Sequence, residues 1–292
     1  MGRDRSDTFA TRVAAGVEAC GPLCAGIDPS AALLADWGLP DDPRGLREFG
    51  LRCVESLGGV VSVLKPQVAF FERHGSAGLA ALESVLAEAR AAGFVVIADA
   101  KRADIGSTME AYASAWLGAD SPLAADAVTA VPYLGLGALE PLFDRAATER
   151  RGVLVVVRSS NPEGRPLQQA RLGDHTGRSV EDALLEDIAG RNRRGHLPPG
   201  TIGAVVGATL EPSAFPLGGL GGVILAPGVG AQGAGASEVA ALFGECPRGS
   251  VLASASRSIL GAGPDPAALA SAASRTQAAL IEALSDGAAA PG

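Results

Sequence analysis

Acid and base alternate in Asp99-Ala-Lys101-Arg-Ala-Asp104. On a strand, Asp99 and Lys101 are two apart and point to one face. A lysine held between carboxylates stays charged and oriented, which suits it to donate a proton. The same carboxylates would strain an anionic substrate group beside them, and the strain would fall if that group left as neutral carbon dioxide. The plainer readings are a structural ion pair for Asp99 and Lys101, and a helix cap or turn for Asp104. A second stretch, Pro227-Gly228-Val229-Gly230-Ala231-Gln232-Gly233, follows an apolar run, and Ser256-Arg257-Ser258 ends the next one. Glycines let backbone N–H groups approach an anion, Gln232 adds a side-chain donor, and Arg257 adds a bidentate cation. A simple tight turn would require neither side chain.

These residues need elements to hold them. Eight short runs, rich in β-branched residues, cover 23–28, 60–65, 94–101, 127–133, 152–160, 202–209, 222–228 and 250–258. Most are nearly continuous in apolar residues, as strands covered on both faces are. Helical patterns lie between and after them, over 46–58, 79–93, 107–119 with Ser107 as a possible cap, 137–151, 179–194, 237–246 and 266–284. Residues 211–219 have room for a helical turn only. Residues 160–178 form the longest irregular stretch, of a length that often serves as a lid.

Eight strands alternating with crossovers predict an α/β fold, a (β/α)8 TIM barrel, as one domain over 1–292. Residues 1–20 read as an extra N-terminal helix and 285–292 as a loose tail. The competing reading is an open doubly wound sheet. That fold usually carries G-x-G-x-x-G after an early strand, whereas the first run here ends Gly-Ile-Asp-Pro-Ser. Barrel active sites sit at the C-terminal strand ends. In chain order those ends offer Asp28, Lys65, Asp99 with Lys101, Tyr133, Ser159 and Ser160, Thr209, Pro227-Gly228, and Arg257.

Composition removes other classes. The formal net charge of −8 disfavours nucleic-acid binding, which needs clustered cations. No apolar run approaches the roughly 20 residues that span a bilayer, and the N-terminal residues lack the apolar core of a signal peptide. Cys20, Cys24, Cys53 and Cys246 form no Cys-x-x-Cys and read as free thiols in a reducing cytoplasm. His74, His175 and His196 are too scattered for a metal-ligand spacing, so no metal is expected.

Four motifs occur in order: Lys65 within VLKPQVAFFE, then DAKRADIGST, PGVGAQG and SRSI. With them, the chain resembles the orotidine 5′-phosphate decarboxylase family in its longer bacterial subgroup. The resemblance spans the second to eighth strands. It implies decarboxylation of orotidine 5′-monophosphate to uridine 5′-monophosphate, the last step of pyrimidine synthesis, with no metal or organic cofactor. It also implies a homodimer whose active sites are shared across the interface. Lys65, Asp99, Lys101 and Asp104 match the family's charged tetrad, with Lys101 as proton donor to pyrimidine C6 and Asp99 beside the substrate carboxylate. Asp104 and Thr108 would reach into the partner's site. Asp28 and Lys65 would hold ribose hydroxyls, and one of Ser159 and Ser160 would read the pyrimidine edge. Gln232 and Arg257 would grip the phosphate, with Pro227, Gly228, Gly230 and Ser256 around it. One departure is Ser256, where many relatives have Gly before the Arg; a Ser still supplies a backbone N–H. Two other readings keep the barrel. One is sugar-phosphate chemistry, through a metal-stabilised enediolate or a Schiff base on Lys65 or Lys101, although flanking aspartates oppose the depressed pKa that a Schiff-base lysine needs. The other is a phosphate-ligand-binding barrel without catalysis.

Overall fold

The computed structural model describes residues 7–173, 175–211, 215–230 and 235–287. Eight parallel strands close into a barrel in chain order. They are β1 (Leu23–Ile27), β2 (Val63–Pro66), β3 (Val95–Arg102), β4 (Ala127–Ala130), β5 (Gly152–Arg158), β6 (Gly200–Val206), β7 (Gly222–Pro227) and β8 (Val251–Ala255). Helix α1 (Phe9–Cys20) precedes β1. Helices α2 (Ala31–Asp36) and α3 (Pro43–Leu57) follow β1; α4 (Ala69–Glu72) and α5 (Gly75–Ala91) follow β2. Then α6 (Gly106–Leu117) follows β3 and α7 (Glu140–Glu149) follows β4. After β5 come α8 (Arg165–Gln168) and α9 (Val180–Arg193), after β7 comes α10 (Ala236–Phe243), and after β8 come α11 (Arg257–Leu260) and α12 (Pro266–Gly287). Among the described residues, β6 and β7 are joined by one 3-10 turn, Leu217–Gly219.

The sequence pattern explains both layers. Leu46, Phe49, Cys53, Val54 and Leu57 are spaced along one face of α3 and are all buried between barrel and helices. Asp42 starts that helix by accepting the N–H groups of Arg44 and Gly45, with Pro43 in the first turn. Alternate strand residues, among them Cys24, Val63, Ile97, Leu154, Leu225 and Leu252, fill the bore. Phe9 and Val13 of α1 join this inner cluster, so the extra helix plugs the N-terminal mouth. The approach is close enough that a Cβ on Gly152 would fall 2.2 Å from the Phe9 ring. The ring of strands closes through Leu23, whose strand pairs beside Ala253 and whose N–H donates to Gln277 Oε1 at 2.8 Å.

Several expected boundaries shift. Residues 285–287, expected in a loose tail, continue α12, and the Ser285 hydroxyl donates back to the Ile281 carbonyl. Residues 288–292 and 1–6 lie outside the described residues. Ser107 is not the cap of α6; Ile105 holds that position with extended backbone and no side-chain bond. Strand β4 stops at Ala130, two residues before Pro132, which has no N–H for a ladder, and Tyr133 is 74% exposed. Strand β6 stops at Val206, short of Thr209. Strand β8 stops at Ala255, so Arg257 opens α11 rather than ending a strand. The stretch 160–178 is not wholly irregular. It holds a 3-10 turn at Pro162–Gly164, helix α8, and an Arg171–Ser179 antiparallel bridge at its base.

Candidate active site

At the C-terminal ends of the strands lies a cavity of about 280 Å³. Ten of the expected site residues line it: Asp28, Lys65, Asp99, Lys101, Ser159, Ser160, Pro227, Gly228, Ser256 and Arg257. Val156, Val205 and Leu225 give it an apolar floor.

Asp99 is the hub. Its Oδ2 accepts from Lys65 Nζ at 3.0 Å and from Gln67 Nε2 at 2.8 Å. Its Oδ1 accepts from Lys101 Nζ at 2.6 Å and from the Thr129 hydroxyl at 2.9 Å. Burial works against a charge on Asp99, but Lys65 and Lys101 outweigh it and hold the carboxyl well below the usual carboxylate range. Burial likewise opposes the Lys65 ammonium; the Asp99 and Asp28 carboxylates outweigh it and push the pKa above the ordinary lysine value. Both groups are therefore ionised at neutral pH. Beneath them, burial pushes the Cys24 thiol up to about 12, so it stays protonated and inert.

The pairing of Asp99 with Lys101 is real, but simple strand alternation does not produce it. Lys101 has φ +47°, in the left-handed region, and the β3–β4 register jumps between Ala98 and Arg102. This is a bulge, and it aims the Lys101 side chain back at Asp99. Lys101 keeps about half of its side chain exposed toward the cavity, while Lys65 is almost wholly enclosed.

The rim closes around the seam between β1 and β8. Gly26 leaves room for Ser256; a Cβ there would sit 1.9 Å from the Ser256 hydroxyl. Asp28 Oδ1 is buried and has no hydrogen-bond partner among the described residues. An acceptor in that state suits a ligand hydroxyl. Ser159 is held from the loop: its N–H donates to Gln168 Oε1 and its hydroxyl accepts from Gln168 Nε2.

Three expected residues stand apart from this cavity. Asp104 turns its Oδ1 to the Ile105 N–H at 2.8 Å, Thr108 is exposed on α6, and Gly230 is exposed beyond the rim. Gln232 lies outside the described residues. Others were not singled out from sequence. Gln67, inside the KPQ motif, and Ser254, one of four serines in the run 250–258, line the cavity. Thr129, which bonds Asp99, is a lone threonine in an apolar run, and that is the signal that could have marked it. Arg158 is a lone cation at the end of such a run. It is buried against Glu181 at 3.1 Å and donates to the Glu211 carbonyl, tying the start of α9 to the segment after β6.

A closed (β/α)8 barrel with ion-paired lysines at the C-terminal strand ends belongs to the class of barrel enzymes whose chemistry sits at that mouth. A profile of the orotidine 5′-phosphate decarboxylase / HUMPS family matches residues 21–273, and the chain belongs to this family. It is 50% identical to the orotidine 5′-phosphate decarboxylase of Salinispora arenicola over 272 residues, 93% of this chain and 96% of that one. It is also 50% identical to that of Streptomyces coelicolor over 270 residues, 92% and 95% of the two chains. The crystal structure of a putative orotidine 5′-phosphate decarboxylase from Streptomyces avermitilis superposes with a TM-score of 0.89 at 46% identity, covering 98% of this chain and all of the other.

Proposed function

We propose that this chain decarboxylates orotidine 5′-monophosphate to uridine 5′-monophosphate and carbon dioxide, the final step of uridine 5′-monophosphate synthesis. The observation that carries the mechanism is the Lys101 ammonium, 2.6 Å from Asp99 Oδ1 and open to the cavity. The bond between C6 and the carboxylate breaks, and its electron pair stays on C6. Carbon dioxide leaves, and C6 takes a proton from Lys101 Nζ, which water then restores. Asp99 orients the Lys101 ammonium and lies beside the departing carboxylate. Asp28 and Lys65 hold ribose hydroxyls, and the buried unpaired Oδ1 of Asp28 supports that role. Ser159 and Ser160 border the place of the pyrimidine edge. Arg257, with Pro227, Gly228 and Ser256, faces the phosphate, and Gly230 and Gln232 follow Gly228 in the same glycine-rich stretch of sequence. Because the phosphate is remote from C6, its binding energy can be spent on assembling the charged site, which raises rate as well as affinity.

The direct test follows ultraviolet absorbance of orotidine 5′-monophosphate with and without EDTA. The wild-type chain is expected to consume it unaffected by chelator, and Lys101→Ala to lose at least about 10³-fold in kcat. Near-normal turnover in folded Lys101→Ala would remove Lys101 as the proton donor.

The chain is further proposed to be a cytoplasmic homodimer, with Asp104 and Thr108 completing the partner's site. Exposed Ile105 beside Asp104, and exposed Tyr133 and Leu134 after the neighbouring strand β4, supply an apolar surface for it. Four free cysteines fit a reducing compartment. Among the described residues, no helix is long and apolar enough to cross a membrane. Mixing Lys101→Ala with Asp104→Ala should restore part of the activity, since one site per heterodimer regains both residues. No recovery after confirmed subunit exchange counts against shared sites.

A further inference from the structure

Thr129 is 1% exposed on β4, bears no charge, and stands where the β3–β4 ladder fails. Ala98 is registered with Val128 and Arg102 with Ala130, so Asp99, Ala100 and Lys101 together stand opposite Thr129 alone. The Lys101 N–H donates at 2.9 Å to the Thr129 hydroxyl oxygen rather than to a strand carbonyl. The same oxygen lies 2.9 Å from Asp99 Oδ1. An N–H can only donate, and an ionised carboxylate can only accept. The single hydroxyl proton is therefore committed to Asp99. That same Oδ1 also receives the Lys101 ammonium. Backbone N–H, hydroxyl, carboxylate and ammonium thus close a ring that starts and ends on one lysine.

We propose that Thr129 is a positioning residue for the reaction: its hydroxyl stands in for the missing ladder partner, holds Lys101 in its left-handed backbone, and aligns Asp99 Oδ1 with the Lys101 ammonium. A left-handed backbone is disfavoured for a lysine and persists only where its surroundings impose it. Thr129 does so without touching substrate, since it does not line the cavity. This inference rests on the reading of Lys101 as proton donor.

The test compares Thr129→Val, which keeps shape and β-branching but loses the hydroxyl, with Thr129→Ser, which keeps the hydroxyl. For Thr129→Val, kcat is expected to fall about 10–100-fold, with KM within about threefold. Its acidic limb of kcat against pH should move to higher pH, because a hydrogen bond donated to Asp99 stabilises the ionised form and has been removed. Thr129→Ser should stay within about threefold of wild type in kcat and keep its acidic limb. Wild-type kcat in folded Thr129→Val, or equal loss in folded Thr129→Ser, overturns the proposal. Should Thr129→Val fail to fold, Thr129→Ala is read by the same criteria. Lys101→Ala is assayed alongside: if it keeps activity, the proton-donor reading fails, whereas loss there with full activity in Thr129→Val defeats only the role of Thr129.

Discussion

At the N-terminal ends of the strands, Phe9 and Val13 fill the bore with hydrocarbon; at the C-terminal ends, Lys65, Asp99 and Lys101 stand at the mouth of the same bore. The lower end gains from burying apolar surface. The upper end bears the desolvation of ions, offset only by their pairing, and a left-handed lysine besides. One ring of strands therefore joins an apolar end to an ion-paired end, which the proposed mechanism makes the reacting one. The apolar plug adds buried hydrocarbon to the barrel that carries this charged mouth.

That contrast can be broken by substitution at either end. The largest effect is expected at the top. Asp99→Asn leaves buried Lys65 without its ion-pair partner, with only the more distant Asp28 carboxylate facing it, and should lower kcat at least about 10²–10³-fold. It should also flatten the acid dependence of stability. In the folded chain the Asp99 pKa is lowered, so its ionisation stabilises the fold above the unfolded value of about 3.9 and is lost as pH falls below that. Urea unfolding at several pH values checks this; an unchanged acid limb would show that Asp99 carries no linkage. At the bottom, Phe9→Ala should cost about 3–5 kcal/mol in unfolding free energy with kcat intact at 25 °C. A fall in kcat beyond about threefold there, in a sample still folded, would mean that the two ends are not separable. The smallest change is expected at the rim. Arg257→Ala removes an exposed cation and should raise KM about 10–100-fold, a loss of about 1.4–3 kcal/mol, while thermal stability stays put. Unaltered KM would take Arg257 out of substrate binding.

The apolar interior of the barrel was legible because strands buried on both faces leave unbroken β-branched runs, as in Gly152–Arg158. Their ends were less so. The run through Tyr133 continues in apolar character past Ala130, and only Pro132 betrays that the ladder has stopped. Arg257 reads as a strand residue, yet the backbone already turns at Ser256. In the candidate site, charged residues at strand ends announced themselves by type. Their neutral partners did not. Whether Thr129 meets Asp99 or Lys101 depends on how many residues of β3 oppose β4, and a register jump is a property of two strands together. Arg158 was hidden for the same reason, since Glu181 and Glu211 reach it from distant parts of the chain.

The seam between β1 and β8 has a consequence for how the protein is made. A ribosome delivers β1 first, and the Leu23 N–H must await Gln277, 254 positions later. Contacts so far apart close slowly, after the chain between them is largely in place. Asp28 follows β1, Ser256 and Arg257 follow β8, and they meet on opposite sides of that seam in one cavity. The binding pocket therefore comes into being only as the ring shuts. A ligand that touches both sides acts as a clasp, favouring the closed ring over any opened form by mass action.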